Sequence, residues 1–297
     1  MEYMKIGHTD INASAITFGA MPIGGGTWWS GSDDKVSIDT IHRAYDLGIN
    51  TIDTAPIYGL GHSEDKYVIS TKATFDWDTG EGRFWHEVDG HKVYVAHGYK
   101  DIIKDCENSL KRLGTDYIDI YYTHNPVRDP AWLEKYPVED TVRALMDLKK
   151  AGKIRCIGSS NVDPEHIEAY MACGCEIDII QRKYTILARG VEENILPICE
   201  KYGMTFHAYA PIERGLLTGT VTKDRVVPPG DAREDQAWWA PDKLPHAIDF
   251  VDGLKDICEE YHCTQTDLAI AFIRHGRPYV NVIYGARKIK HLEAGAA

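Results

Sequence analysis

Apolar and β-branched residues gather in short runs at Ala15–Phe18, Thr51–Asp53, Tyr67–Ser70, Tyr117–Tyr122, Ile154–Ser159, Ile177–Ile180, Met204–Tyr209 and Val280–Tyr284. Runs of this length predict strands, and helix-length segments separate most of them. The 3.6-residue period is clearest in Val36–Leu47, Ile102–Leu113 and Val138–Lys150, each stopped by a glycine (Gly48, Gly114, Gly152). Asp163 ahead of Pro164 predicts another helix start, a cap side chain before a residue whose missing N–H costs nothing there. Eight strands alternating with helices predict a closed parallel (β/α)8 TIM barrel ahead of an open doubly wound sheet. Gly24-Gly25-Gly26 lacks the G-x-G-x-x-G spacing of a pyrophosphate cradle and reads as a flexible loop over the barrel mouth.

Two pieces stand outside this alternation. Tyr3–Ile6 and Ile11–Ala13 flank Gly-His-Thr-Asp and predict an N-terminal hairpin that closes the barrel bottom. Lys72–Tyr99 is an insertion, with Trp85–Val88 and His91–Tyr94 on either side of Asp89-Gly90, a strong hairpin signal. Because it follows a barrel strand, this hairpin loop belongs at the C-terminal face. Conversely, the stretch between Thr54 and Tyr67 is too short for a loop plus a crossover helix, and the chain stops at Gly295-Ala296-Ala297. The pattern predicts one barrel domain over 1–297, with apparent loss of the second barrel helix near 64–66 and a truncated last helix after 294. A missing helix would expose apolar faces of its neighbours, so omitted segments account for this better than a barrel built short.

The 297 residues can bury a large core, and 43% hydrophobic with 26% charged residues describes a soluble globular chain. A formal charge of −12 without a Lys/Arg cluster argues against nucleic acid as a partner. Seven scattered cysteines without C-x-x-C spacing indicate neither a disulfide framework nor a zinc site, and fit reduced thiols in a cytoplasmic protein. No run reaches membrane-spanning length, and the N-terminus carries no signal-peptide pattern, so no membrane partner is expected. His86, His91 and His97 of the insertion are expected to be solvent-exposed, and no metal site is assigned.

The chain centres on Asn50–Gly59, where a short strand ends in Asp53 and Tyr58 follows on a Gly/Pro-rich loop. Several stretches together resemble the aldo-keto reductases, in their bacterial NADP-dependent branch. They are Asp53-Thr-Ala-Pro-Ile-Tyr58-Gly with Gly61-His-Ser-Glu64, Ile69-Ser-Thr-Lys72, Tyr121-Tyr-Thr-His124, Gly158-Ser-Ser-Asn161, Gln181, Tyr209-Ala-Pro-Ile with Gly215-Leu-Leu-Thr-Gly219, and Gly285-Ala-Arg287. They run in family order over nearly the whole chain, each at a strand end. The family is built on the (β/α)8 barrel and uses a nicotinamide cofactor.

Reduction of a carbonyl by hydride needs a proton for the developing alkoxide, and a tyrosine of pKa near ~10 is too weak an acid unless a cation stabilises its phenolate. Lys72 suits that cation, Asp53 would hold its ammonium, and His124 would polarise the carbonyl. The resemblance implies the same catalytic set: Asp53, Tyr58, Lys72 and His124. It further implies that Ser160, Asn161 and Gln181 bond the nicotinamide carboxamide, that Tyr209 stacks on the ring, and that the Gly215–Gly219 loop with Leu217 lies along the pyrophosphate. Ala210, Pro211, Ile212 and Gly285 complete the implied cofactor set. Arg287 with Lys288 suits an adenosine 2′-phosphate, which favours NADP(H) over NAD(H). The chain departs from the family pattern at Tyr284, where proline is usual, at His291, where glutamine is common, and at Gly295, where asparagine is expected.

Tryptophans on three loops near the mouth suit a small-molecule carbonyl or sugar: Trp28 and Trp29, Trp77 and Trp85, and Trp238-Trp239, with Trp28, Trp29 and Trp85 taken as substrate-facing. The expected function is an NADP(H)-dependent oxidoreductase interconverting an aldehyde, ketone or sugar and its alcohol. Two other classes stay open: a non-catalytic NADPH-binding regulatory protein, and a barrel glycosidase pairing Asp53 with Glu64 or Glu213.

Overall fold

The computed structural model describes residues 1–25, 29, 31–56, 67–77, 79–88 (backbone alone at 88) and 90–296. An antiparallel hairpin of β1 (Tyr3–Lys5) and β2 (Asn12–Ser14) opens the chain. β3 (Ile16–Gly19), β4 (Thr51–Asp53) and β5 (Val68–Ala73) begin a parallel barrel. The inserted residues follow as β6 (Phe75–Asp76), β7 (Arg83–Val88) and β8 (His91–Val95). β9 (Ile118–Thr123), β10 (Ile154–Ser160), β11 (Ile179–Lys183), β12 (Thr205–Tyr209) and β13 (Val280–Tyr284) complete the barrel, which closes where β13 pairs with β3.

The helices around it are α1 (Asp34–Asp46), α2 (Tyr99–Leu113), α3 (Pro130–Lys135), α4 (Val138–Lys150), α5 (Pro164–Ala172), α6 (Val191–Asn194), α7 (Leu196–Tyr202), α8 (Leu244–Gly253), α9 (Lys255–Glu260), α10 (Gln265–Arg274) and α11 (Ile289–Ala296). Their starts and stops follow the sequence signals. The Asp33 carboxylate accepts the Val36 N–H at 2.9 Å, and Asp163 stands at the N-cap of α5 with Pro164 behind it. Gly114 closes α2 with a left-handed φ of 67°, which a side chain would strain. The main core lies between strands and helices, where Tyr121, Ile157, Ile180, Phe206 and Val282 meet Ile102, Leu110, Leu145 and Leu148. Burial on this scale is the dominant favourable term in holding the layers together.

All eight barrel strands form where the apolar runs predict them, but several extend further toward their C-termini. β5 reaches Ala73, and β11 continues through Gln181, Arg182 and Lys183. Apolar residues mark only the buried middle of such a strand. Its polar end stays in the ladder because β12 pairs with it through Lys183, while β10 pairs with it as far as Gln181. The hairpin of the insertion forms as β7 and β8, and Phe75–Asp76 adds a third strand on the other edge of β8. The expected loss of the second helix falls on residues 57–66, outside the described residues, and the last helix reaches Ala296. Of the three histidines, His86 and His91 are exposed, whereas His97 is 2% exposed, a correction. It follows the buried pair Val95–Ala96 as the chain returns to the barrel surface, and burial pulls its pKa down to about 3. Among the described residues, no helix is long and apolar enough to cross a membrane.

Candidate active site

The barrel interior grows more polar toward the C-terminal ends of the strands. At the bottom, Ile6, Ile11 and Ala13 of the hairpin plug the barrel against Ile120, Tyr122, Cys156 and Ile179. Tyr122 lies so close to Gly158 that a Cβ there would fall 2.4 Å from its ring. The Tyr122 hydroxyl meets His207 Nδ1 at 2.9 Å, His207 Nε2 meets Thr17 Oγ1 at 3.0 Å, and the Thr17 hydroxyl donates to Asn281 Oδ1 at 2.9 Å. Thr17 has spent its proton on Asn281, so His207 Nε2 carries a hydrogen and Nδ1 accepts from Tyr122. Burial pulls the His207 pKa down to about 4, so the imidazole is neutral at physiological pH, as that assignment of Nδ1 requires.

At the strand ends Asp53, 5% exposed, and Lys72, 1% exposed, form a buried pair. The Lys72 ammonium donates to both Asp53 oxygens at 2.9 Å and to the Thr54 carbonyl at 2.8 Å. Ser70 Oγ at 2.7 Å and Gln181 Nε2 at 2.9 Å also donate to Asp53 Oδ1. A buried pair survives only when further hydrogen bonds compensate its lost hydration, and the Ser70 and Gln181 donors with the Thr54 carbonyl do so. Burial works against the Asp53 charge, yet the Lys72 ammonium and the Ser70 hydroxyl bring its pKa below the ordinary carboxylate range. Burial also draws the Lys72 pKa below the usual lysine value, against the pull of Asp53.

His124, directly after β9, is buried, and desolvation followed by the Lys72 charge pulls its pKa down to about 3. Its imidazole is neutral at physiological pH. The inserted sheet buttresses it: the Phe75 ring meets His124 edge-on at 4.8 Å, and Trp85 packs on Phe75 at 4.6 Å. Asn161, in a left-handed φ of 58°, donates from Nδ2 to the His124 carbonyl and accepts the Tyr209 hydroxyl, both at 2.9 Å. Each end of its amide keeps one bonding position in reserve.

Beyond Tyr209 the backbone is strained, with φ values of 55°, 49° and 55° at Ala210, Glu213 and Arg214. Glu213 fixes this turn from beneath. Its carboxylate is fully buried, 2.7 Å from Lys183 Nζ and 2.8 Å from Thr185 Oγ1, and its carbonyl accepts Trp239 Nε1 at 3.0 Å. Glu213 is thus spent as a strut and is not among the described residues that line the cavity holding Asp53, which removes it as a second carboxylate there.

A cavity of about 820 Å³ runs from Asp53, His124, Phe75 and Trp85 past Tyr209 to Arg287, His291 and Ala294. Ser160, Asn161, Gln181, Tyr209, Ala210, Pro211, Ile212, Gly215, Gly285 and Arg287 line it, as do Trp29 and Trp85. Lys72 lies just behind its wall. Leu217 instead packs with Val251 and Ala269, and Lys288 points to solvent, so neither faces the cavity. Tyr58 and Trp28 lie outside the described residues, as does Glu64. Trp77 packs against the insertion's own core and Trp238 against the Leu187 carbonyl.

Three lining arginines were not foreseen: Arg214, Arg225 and Arg233. The Arg233 guanidinium stands 5.5 Å from the Trp29 ring and 5.3 Å from the Trp239 ring, so it bridges the loops on two sides of the mouth. Trp239 was visible as an aromatic near the mouth, but nothing in the local pattern marks its cationic partner. Arg233 itself is paired with Asp231, whose two carboxylate oxygens accept from its guanidinium at 2.6 and 2.5 Å. Arg214, Arg225 and Arg287 are then the arginines on this cavity, in a chain of net charge −12, that fit an anionic ligand. Amide and hydroxyl groups at one end and guanidinium groups at the other fit a nicotinamide dinucleotide.

A model of the Aldo/keto reductase family matches residues 15–297. The chain is 39% identical to the NADH-specific methylglyoxal reductase of Escherichia coli (strain K12), over 96% of this chain and 90% of that protein. It is 35% identical to aldo-keto reductase YhdN of Bacillus subtilis (strain 168), over 99% of this chain and 87% of that one. Among solved structures, the glycerol dehydrogenase AKR11B4 from Gluconobacter oxydans superimposes with a TM-score of 0.85 at 29% identity, covering 99% of this chain and 89% of its own.

Proposed function

This chain belongs to the aldo/keto reductase family, and from that premise we propose that it is a cytoplasmic, single-domain NADP(H)-dependent enzyme interconverting a small polar carbonyl and its alcohol. The observation that carries the reading is the buried Lys72 ammonium, held by both oxygens of Asp53 behind the cavity wall, with the neutral imidazole of His124 in that wall. When bound, the nicotinamide supplies a hydride to the carbonyl carbon. Tyr58 gives its phenolic proton to the carbonyl oxygen, and the Lys72 charge stabilises the phenolate left behind until water reprotonates it. His124 donates an N–H to the same oxygen and favours charge developing there. Asp53 keeps the ammonium in one place.

Ser160, Gln181 and the reserve bonds of Asn161 would hold the carboxamide, Tyr209 would cover the ring, and the turn through Gly215 would follow the pyrophosphate. Arg287, with basic residues beside it, supports NADP(H), although a relative at 39% identity is NADH-specific. Phe75, Trp85 and Trp29 give the cavity an aromatic lining, suited to small 2-oxoaldehydes and to three-carbon polyols and their carbonyl forms, in line with the methylglyoxal and glycerol named for two relatives. The test is fluorescence titration with NADPH and NADH, then turnover of methylglyoxal, dihydroxyacetone and aromatic aldehydes, on wild type and Tyr58→Phe. Tight NADPH binding with turnover abolished in Tyr58→Phe is the expected result. Binding with no turnover on any carbonyl would replace this reading with a regulatory nucleotide-binding protein.

A further inference from the structure

At the far end of the cavity a strand and a helix interlock. Tyr284, the last residue of β13, is 3% exposed, and its hydroxyl donates to the His291 carbonyl in α11 at 2.9 Å. Four residues on from His291, and so on the same helix face, is Gly295. A Cβ on Gly295 would lie 2.4 Å from Cε1 and Cζ of the Tyr284 ring, closer than carbon atoms approach. The ring thus occupies room that only a glycine leaves, and its hydroxyl ties the first half of the same helix to the strand end. Tyr284, Arg287, His291 and Ala294 all line the cavity here. The segment from Arg287 to His291 is also basic at four of five positions, and Lys290, Lys288 and Arg287 add to burial in lowering the His291 pKa. Like charges crowded in this way are relieved by an anion.

We propose that Tyr284 and Gly295 form one interlocking unit that seats the start of α11, making Tyr284 the positioning residue that brings Arg287 and His291 to a phosphate on the adenosine. The unit sets the preference for NADPH over NADH. This inference rests on the cavity taking a nicotinamide dinucleotide, as proposed above. The hydroxyl fixes the height of the first turn of α11, and the ring against Gly295 fixes its approach to β13. Arg287 and His291, carried at the junction, follow both. NADH lacks the phosphate they address, so its affinity is indifferent to where they stand.

The experiment is a double-mutant cycle read as equilibrium binding of NADPH and NADH by calorimetry, on wild type, Gly295→Ala, Tyr284→Ala and the double variant, with Tyr284→Phe beside them. Thermal melts confirm that each is folded. Alanine is the better helix former, so Gly295→Ala weakens binding only if the ring resists the added methyl. We expect it to weaken NADPH by at least tenfold with NADH changed less than threefold, and to cost nothing further in the Tyr284→Ala background. Tyr284→Phe, which keeps the ring and loses one hydrogen bond, should weaken NADPH alone by about three- to tenfold. A wild type that binds both nucleotides while Gly295→Ala is neutral, or loses both equally, overturns this proposal alone. A wild type that binds NADH as tightly as NADPH overturns it too, together with the NADP(H) preference in the functional reading but not the reductase chemistry. Failure of wild type to bind either nucleotide overturns the functional reading beneath it as well.

Discussion

At the Asp53 end of the cavity the key side chains leave barrel strands or the residues directly after them, Asp53 from β4, Lys72 from β5, His124 after β9 and Gln181 from β11, and they bond to one another. At the Arg287 end the lining comes from a loop, a helix start and the long segment after β12, where Arg233 leans on two tryptophan rings and on Asp231, and α11 is tied to the strand end through Tyr284. Closed parallel strands cannot shift independently, because each is bonded on both edges, so geometry at their ends is fixed by the core itself. A helix start can slide by fractions of an ångström at little cost. One end is thereby suited to chemistry, where position decides rate, and the other to recognising a handle far from the reacting atoms.

If the two ends divide the work in this way, Lys72→Met should separate them most sharply. Turnover should fall by about 10²–10⁴-fold, the range of a lost proton-transfer partner, while NADPH affinity stays within about threefold. The variant leaves the Asp53 charge buried and unopposed, which costs about 3–5 kcal/mol of stability, so Asp53→Asn/Lys72→Met serves as the neutral folding control. Steady-state kinetics beside fluorescence titration would check it. Equal losses in turnover and affinity would show that the ends are not independent.

The strand-anchored end was largely legible from residue types, and the other was not. Asp53, Lys72, His124 and Gln181 occupy barrel strands or the positions just after them, so finding the strands finds the side chains. The network beneath them escaped notice because Thr17, Tyr122, His207 and Asn281 sit on four strands and look like ordinary strand residues until the barrel closes. Leu217 shows the opposite limit of a motif: it names the residue but not its orientation, and the side chain turns into the core beside Val251, which leaves only the backbone at that position to meet a ligand. Tyr284 and Gly295 stood out only as departures from a pattern. That they are one exchange of volume across two elements needs the distance between them, which no local pattern encodes.

Acid should attack the strand-anchored end first. His124 and His207, with His97 below the insertion, have pKa values drawn down to about 3, 4 and 3. Their unfolded values lie near 6.5, so the stability tied to keeping them neutral is complete above about pH 6.5 and is lost as pH falls toward 4–3, where the unfolded chain has taken up protons first. At pH 5 each contributes a loss of about 2 kcal/mol. Asp105, pushed up to about 7 by burial, works in the other direction and offsets roughly one of the three. The Tm should fall by roughly 5–10 °C between pH 7 and pH 5. His124→Gln should flatten that profile, whereas His291→Gln at the half-exposed end should leave it almost unchanged. A profile insensitive to His124→Gln would mean that burial does not hold this imidazole neutral.

The smallest expected effect tests the boundary between the two ends. Tyr209→Phe removes one hydroxyl, the donor to Asn161 Oδ1 at 2.9 Å, and leaves the ring that lines the cavity. Asn161 stays in its left-handed turn because its own N–H still donates to the Gln181 carbonyl at 3.0 Å, and its Nδ2 still reaches His124. The loss is then one hydrogen bond, about 0.5–1.5 kcal/mol, or roughly three- to tenfold in nucleotide affinity. NADPH and NADH share everything Tyr209 and Asn161 would touch, so both should weaken by the same factor, and calorimetric titration of each would measure it. A loss confined to NADPH would mean that Tyr209 acts through the Arg287 end, and the division between a strand-built catalytic end and a helix-built recognition end would have to be redrawn at β12.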